Sequence, residues 1–267
     1  MRPNILFNRL RKGEVCLGLG LMYPAPGIIE CMCGGWDFVW IDGQHGQISY
    51  DTALGCLHAA GAAGVETVVR VPGHEPGMLG KWADLAPCAV MVPMIDTVDQ
   101  AGAVVEGLRF PPLGERSYGG RRVIDLDGRD FFRERELMVV AQVETLESVQ
   151  NASAIINTEG VDALFFGPDD MKVRMGIPIN TAITDHPQLR EAMKATADAA
   201  RKAGKIAGSV AATGPALQMA IELGYQLIVG GGDVAFIRTS AAARLDELKK
   251  ARAGANITPA NKSAGVY

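Results

Sequence analysis

The chain has 267 residues, 48% of them hydrophobic and 21% charged, and a formal net charge of −4. That balance belongs to a folded protein with one large core, and weak acidity without a basic stripe argues against a nucleic-acid partner. No apolar run reaches the roughly 18 residues of a membrane span, residues 1–15 lack the apolar centre of a signal peptide, and five cysteines without a CxxC pair read as reduced thiols, so no membrane partner and a cytoplasmic location are expected.

Apolar, β-branched runs predict strands over 15–21, 37–41, 67–71, 89–94, 138–142, 163–166, 205–210 and 227–230. Between most of them apolar residues recur three and four apart, which predicts helices over 52–63, 99–107, 146–156, 189–203 and 214–223, with an apolar helix over 234–248 at the end. The strands are apolar on both faces, as buried parallel strands are. Eight strand–helix units predict an α/β fold, a (β/α)8 TIM barrel forming a single domain over 1–250. The remainder, 251–267, reads as a tail that frays or packs on a neighbouring subunit. An open doubly wound sheet is the rival, but no GxGxxG follows the first strand. Segment 109–135 reads as an irregular insertion, and a loop that long is more often functional than accidental.

Barrel active sites lie where the strands end, at the C-terminal face. The second predicted strand runs into Asp42-Gly43-Gln44-His45, the third into Arg70, the fifth into Gln142-Val143-Glu144, and the sixth into Gly167-Pro168-Asp169-Asp170. Glu144 and Asp170 suit a hard divalent cation, which favours carboxylate oxygens and keeps positions free for a bidentate 2-oxo acid. Arg70 can add charged hydrogen bonds to the same substrate oxygen, and His45 is the natural proton carrier near neutral pH. Peptide N–H groups at Asp169 and Asp170 open a helix after the Gly-Pro turn, where an anion is welcome. Each side chain also has a structural reading. His45 can be a hydrogen-bonder at a strand end and Arg70 a salt-bridge partner. Glu144 can favour the first turn of the next helix, Asp169 or Asp170 can cap one, and Asp42 can be held by backbone donors in a tight turn. The joint placement on one face favours the functional reading. His58 and His186 read as structural, and Trp40 and Trp82 as packing.

The segments WDFVWIDGQH (36–45), VRVP (69–72), MVPM (91–94), RFPPLG (109–114), QVET (142–145) and EGVDALFFGPDDM (159–171) resemble the HpcH/HpaI aldolase family, in order, over roughly residues 4–250. The resemblance implies a class II aldolase that uses Mg²⁺, Mn²⁺ or Co²⁺ and pyruvate-enolate chemistry without a Schiff-base lysine. It implies small-molecule partners, a 2-oxo acid and an aldehyde. Residue by residue, it implies Glu144 and Asp170 as metal ligands and His45 as the base that takes the aldol hydroxyl proton. Arg70 would stabilise the enolate oxygen, and Gln142 and the backbone at Asp169 would hold the pyruvate unit. Asp84, whose other reading is an exposed helix acid, would raise the basicity of the histidine across a subunit boundary. A homo-oligomer is implied, trimers paired into hexamers.

The chain departs from the family's common pattern at Gln44, where many members carry Glu, at Leu19, Asp169 and Met171, and in the loop RSYGGRR (116–122). An extra acid at Asp169 is expected to raise the negative charge beside the cation and alter which carboxylate substrates are accepted. Two rivals are a lyase acting on a CoA thioester, for which no Gly-rich phosphate cradle is evident, and a 2-oxo-acid binding protein without turnover.

Overall fold

The computed structural model describes residues 2–255. In chain order the elements are α1 (Ile5–Arg11), β1 (Cys16–Leu21), α2 (Pro26–Met32), β2 (Phe38–Asp42), α3 (Tyr50–Ala63), β3 (Glu66–Arg70), α4 (Pro76–Ala83), β4 (Ala89–Val92) and α5 (Val98–Leu108). There follow α6 (Arg121–Asp127), α7 (Phe131–Glu134), β5 (Met138–Val143), α8 (Leu146–Asn157), β6 (Ala163–Phe166) and α9 (Pro168–Met175). A 3-10 turn over Ile183–Asp185 leads to α10 (Pro187–Lys202), β7 (Ile206–Val210), α11 (Gly214–Leu223), β8 (Leu227–Gly232) and α12 (Asp233–Arg252). The strands close in the order β1 to β8, each parallel to both neighbours. This is the (β/α)8 TIM barrel expected from the apolar runs.

The two-residue period of a strand divides the core. Phe38 and Trp40 of β2, Val68 of β3, Met91 of β4, Met138 and Val140 of β5, and Phe165 of β6 fill the barrel interior. Their neighbours Val39, Ile41, Val69, Val90, Val139 and Leu164 face the helices in the larger outer cluster. Two glycines make room for the interior rings. A Cβ at Gly18 would lie 2.2 Å from the Phe38 ring, and one at Gly208 would lie 2.7 Å from the Phe165 ring. Helix α1 closes the opposite mouth with Leu6, Phe7 and Leu10. Its cap Asn4 accepts from the Phe7 N–H at 3.0 Å and donates through its amide to the Cys88 carbonyl at 2.7 Å.

The predicted strands lie within two residues of the observed strands, and the predicted helices within two of the observed helices except at the end of the last. The fourth strand stops at Val92 instead of 94 because Met94 takes φ +57 and turns its N–H towards Glu144. Segment 109–135 is not irregular throughout, since it holds α6 and α7. An aromatic cluster of Phe110, Tyr118, Phe131 and Phe132, with ring centroids 5.5–6.0 Å apart, gives it a small core of its own. Helix α12 continues past the expected limit at 248 to Arg252, and 256–267 of the expected tail lie outside the described residues. No helix among the described residues is long and apolar enough to cross a membrane.

Candidate active site

The interior alternation of each strand continues into its C-terminal end. On β2 the sequence Phe38, Trp40 is followed on the same face by Asp42, and on β3 Val68 is followed by Arg70. On β5 Met138 and Val140 are followed by Gln142 and Glu144. Four polar residues thereby end up inside one mouth, with exposures of only 0% for Asp42, 6% for Arg70, 3% for Gln142 and 1% for Glu144.

Strand register sets the first pairing, because Asp42 and Arg70 are Cα partners across β2 and β3. Arg70 donates from Nε to Asp42 Oδ1 at 2.9 Å and from Nη2 to Oδ2 at 2.6 Å. Its guanidinium lies over the Trp40 ring, 4.6 Å from the centroid. Burial disfavours the Asp42 charge, but the hydrogen bonds and charge of Arg70 prevail and hold its carboxyl below the ordinary value. Asp42 Oδ1 also accepts from the Gln44 and His45 N–H groups at 3.0 and 3.2 Å. The turn reading of Asp42 and the salt-bridge reading of Arg70 are therefore both correct, and they describe one carboxylate. His45 itself is exposed at the mouth. Gly46 lets this turn close, since a Cβ there would lie 2.3 Å from the Asp42 carbonyl oxygen.

Glu144 follows β5 and is anchored by one oxygen only, Oε2, which accepts from the Met94 N–H at 3.0 Å. Its Oε1 is buried with no donor, and so is Oε1 of Gln142. Burial and the neighbouring charge of Asp170 push the Glu144 carboxyl up to about 7, partly opposed by Met94 and Arg70. Gly167 is the residue that lets α9 approach. A Cβ there would lie 2.7 Å from Glu144 Cγ and 3.3 Å from Gln142 Nε2. Asp170, half-buried, then falls in the first turn of α9 beside Glu144. Buried acceptors without donors, facing a second carboxylate, form an arrangement that lacks positive charge.

Asp169 does not join them with its carboxylate. That side chain is 71% exposed and pairs with Lys172 at 3.0 Å, which corrects the expectation of extra negative charge beside the cation. Its backbone N–H stays in the first turn of α9, where a helix leaves its own donors free. Asp84 caps the C-terminus of α4 and accepts from Arg116 Nη2 at 2.6 Å, sharing no hydrogen bond with His45 of the same chain. His186 caps α10 by accepting from the Leu189 N–H, as its structural reading required. Trp40 and Trp82 are buried. Asp42 and Gly167 are the contributors that sequence reasoning left out of the site. The interior alternation 38, 40, 42 carried the signal for the first, and the Gly-Pro turn at 167–168 carried it for the second.

The family model for HpcH/HpaI aldolase/citrate lyase matches residues 25–240. The chain belongs to that family. It is 38% identical over 173 residues to a 4-hydroxy-2-oxovalerate aldolase of Novosphingobium aromaticivorans, a match covering 63% of this chain and 66% of the relative, just under two thirds of its length. It is 34% identical over 212 residues to a hydroxypyruvate/pyruvate aldolase of Chromohalobacter salexigens, covering 78% of this chain and 82% of the relative. Among solved structures, a HpcH/HpaI aldolase/citrate lyase family protein of Burkholderia cenocepacia J2315 superposes with a TM-score of 0.85 at 31% identity, over 92% of this chain and 100% of that one. The aldolase relatives and the family match make the protein a carbon–carbon lyase.

Proposed function

We propose that this aldolase cleaves a 4-hydroxy-2-oxo acid into pyruvate and an aldehyde, and runs the reverse aldol addition, by way of a pyruvate enolate. The names of its relatives support the reaction class. The observation that carries the reading is the pair of buried, donor-less oxygens of Glu144 and Gln142 beside Asp170. They fit a divalent cation, with Glu144 and Asp170 as the residues that would hold Mg²⁺, Mn²⁺ or Co²⁺. Such an ion supplies Lewis-acid stabilisation of enolate charge when bound.

The chain's own groups do the rest. Gln142 and the free N–H groups at the start of α9 hold the carboxylate end of the substrate. His45, at the exposed rim of the mouth, takes the 4-hydroxyl proton on an imidazole nitrogen. The C3–C4 bond breaks, its electron pair passes into the pyruvate unit, and the aldehyde leaves. Arg70 meets the C2 oxygen with N–H groups not used by Asp42, in a site dry enough to strengthen that contact. Protonation at C3 completes pyruvate.

Asp84 acts on His45 of a second copy in a homo-oligomer, a trimer or a pair of trimers. Two features support this. Asp84 bonds Arg116 and shares no hydrogen bond with its own chain's His45 among the described residues, and α12 leaves Ile237, Leu245 and Leu248 exposed. The described cysteines are free thiols, four of them buried, which suits a reducing cytoplasm.

The test is pyruvate release from a racemic 4-hydroxy-2-oxo acid, with EDTA and then with each cation restored. Release that depends on the cation supports the reading. Absence of release with every cation refutes it and favours binding without turnover, or a CoA-thioester substrate if that is consumed instead.

A further inference from the structure

Asp42 is fully buried and accepts four hydrogen bonds within the site. Its Oδ1 receives three N–H groups, from Arg70 Nε, Gln44 and His45, and its Oδ2 receives Arg70 Nη2. The turn is tied to Arg70 a further time, because the Gly43 N–H donates to the Arg70 carbonyl at 2.8 Å. At Gly43 a Cβ would lie 2.8 Å from that same carbonyl oxygen and 2.7 Å from the Trp82 ring, so only glycine lets the turn approach β3 this closely.

We infer that Asp42 is a positioning residue for the aldol reaction, a single buried carboxylate that aims the Arg70 guanidinium and the His45 turn at one substrate. This rests on the enolate reading of the site and deepens it. A guanidinium has five N–H donors in a rigid fork. Asp42 takes one from Nε and one from Nη2, and among the described residues no other side chain or carbonyl accepts from Arg70. The remaining donors stay grouped on the Nη1 side, aimed by the bidentate grip and flattened against Trp40. A group fixed before the charge develops needs no reorganisation when the enolate forms. Because the same Oδ1 fixes the His45 backbone, a shift of Asp42 moves the proton carrier and the enolate donor together.

The decisive comparison is Asp42→Asn in the Mg²⁺-loaded full-length protein, probed with oxalate, a planar dianion shaped like the carboxylate and C2 oxygen of enolpyruvate. Titration calorimetry is expected to give Mg²⁺ affinity within about twofold of wild type and oxalate affinity reduced at least about tenfold, with kcat for pyruvate release falling and KM nearly unchanged. A merely structural Asp42 predicts wild-type oxalate affinity, or a parallel loss of Mg²⁺ and oxalate, and either result overturns the inference. If Asp42→Asn does not fold, Asp42→Glu serves, because it keeps the charge but moves the carboxylate by one methylene and breaks the aim of the Arg70 fork. Weakened oxalate binding there supports the inference, and wild-type binding overturns it. Arg70→Ala tells the two levels apart. Unchanged oxalate affinity in Arg70→Ala sinks the enolate reading itself, whereas a weakened Arg70→Ala beside a wild-type Asp42→Asn sinks the positioning role alone.

Discussion

Gly167 stands so close to Glu144 that a Cβ on it would lie 2.7 Å from Glu144 Cγ and 2.9 Å from Oε1. The glycine backbone itself is ordinary, with φ −93 and ψ 95 at the cap of α9. An alanine would therefore suffer no conformational strain there, and its methyl group would act chiefly by displacing Glu144, with a lesser push on Gln142. Gly167→Ala should weaken Mg²⁺ binding about tenfold or more and lower pyruvate release in proportion, read by calorimetry and a coupled assay. Unchanged affinity would mean that Glu144 does not hold the cation.

Asp84 is gripped from two sides by the insertion. Arg116, with a side chain only 3% exposed, donates to its Oδ1, and Gly120 at φ +94 comes so close that a Cβ would lie 2.7 Å from its Cγ. Oδ2 accepts no hydrogen bond among the described residues. If that oxygen serves a second copy, inactive His45→Ala and Asp84→Asn proteins should complement. Unfolded and refolded together, they should regain activity well above either alone, since mixed assemblies contain sites with both residues intact. A mixture no more active than its parents would contradict an Asp84 that acts across the subunit boundary.

The barrel was legible because its signal is local. Interior and exterior residues alternate along each strand, and the same alternation delivered Arg70, Gln142 and Glu144 to one mouth. Relations between distant segments were not legible. The partnership of Asp42 with Arg70 depends on the register of β2 against β3, and that of Asp84 with Arg116 spans 32 residues that include β4 and α5. The outward turn of Asp169 did have a local signal, the i,i+3 spacing to Lys172 in DDMK, which stabilises a helix surface.

Stability in acid should depend on Asp127, far from the reaction. Its side chain is fully buried and accepts from Arg2 Nε at 3.0 Å and Nη2 at 3.1 Å, and from Arg135 Nε at 3.0 Å. Burial opposes its charge, but the bonds and charges of Arg2 and then Arg135 prevail and hold the carboxyl below its ordinary value. A folded value below the unfolded one means the stabilisation is present above about pH 4 and lost as pH falls through the folded value. Asp127→Asn should cost about 3 kcal/mol at neutral pH and flatten the acid limb of urea-unfolding stability. An unchanged acid limb would show that the group does not control it.

A mouth of Glu144, Asp170 and Arg70 that makes a pyruvate enolate must also labilise the methyl protons of pyruvate. Exchange of the pyruvate methyl protons in D₂O, followed by proton NMR with Mg²⁺, reads that step without any aldehyde. Loss of the methyl signal is expected in the wild type, abolished by EDTA and by Glu144→Ala or Arg70→Ala. Exchange that survives Glu144→Ala, or none in the Mg²⁺-loaded wild type, would contradict the enolate reading.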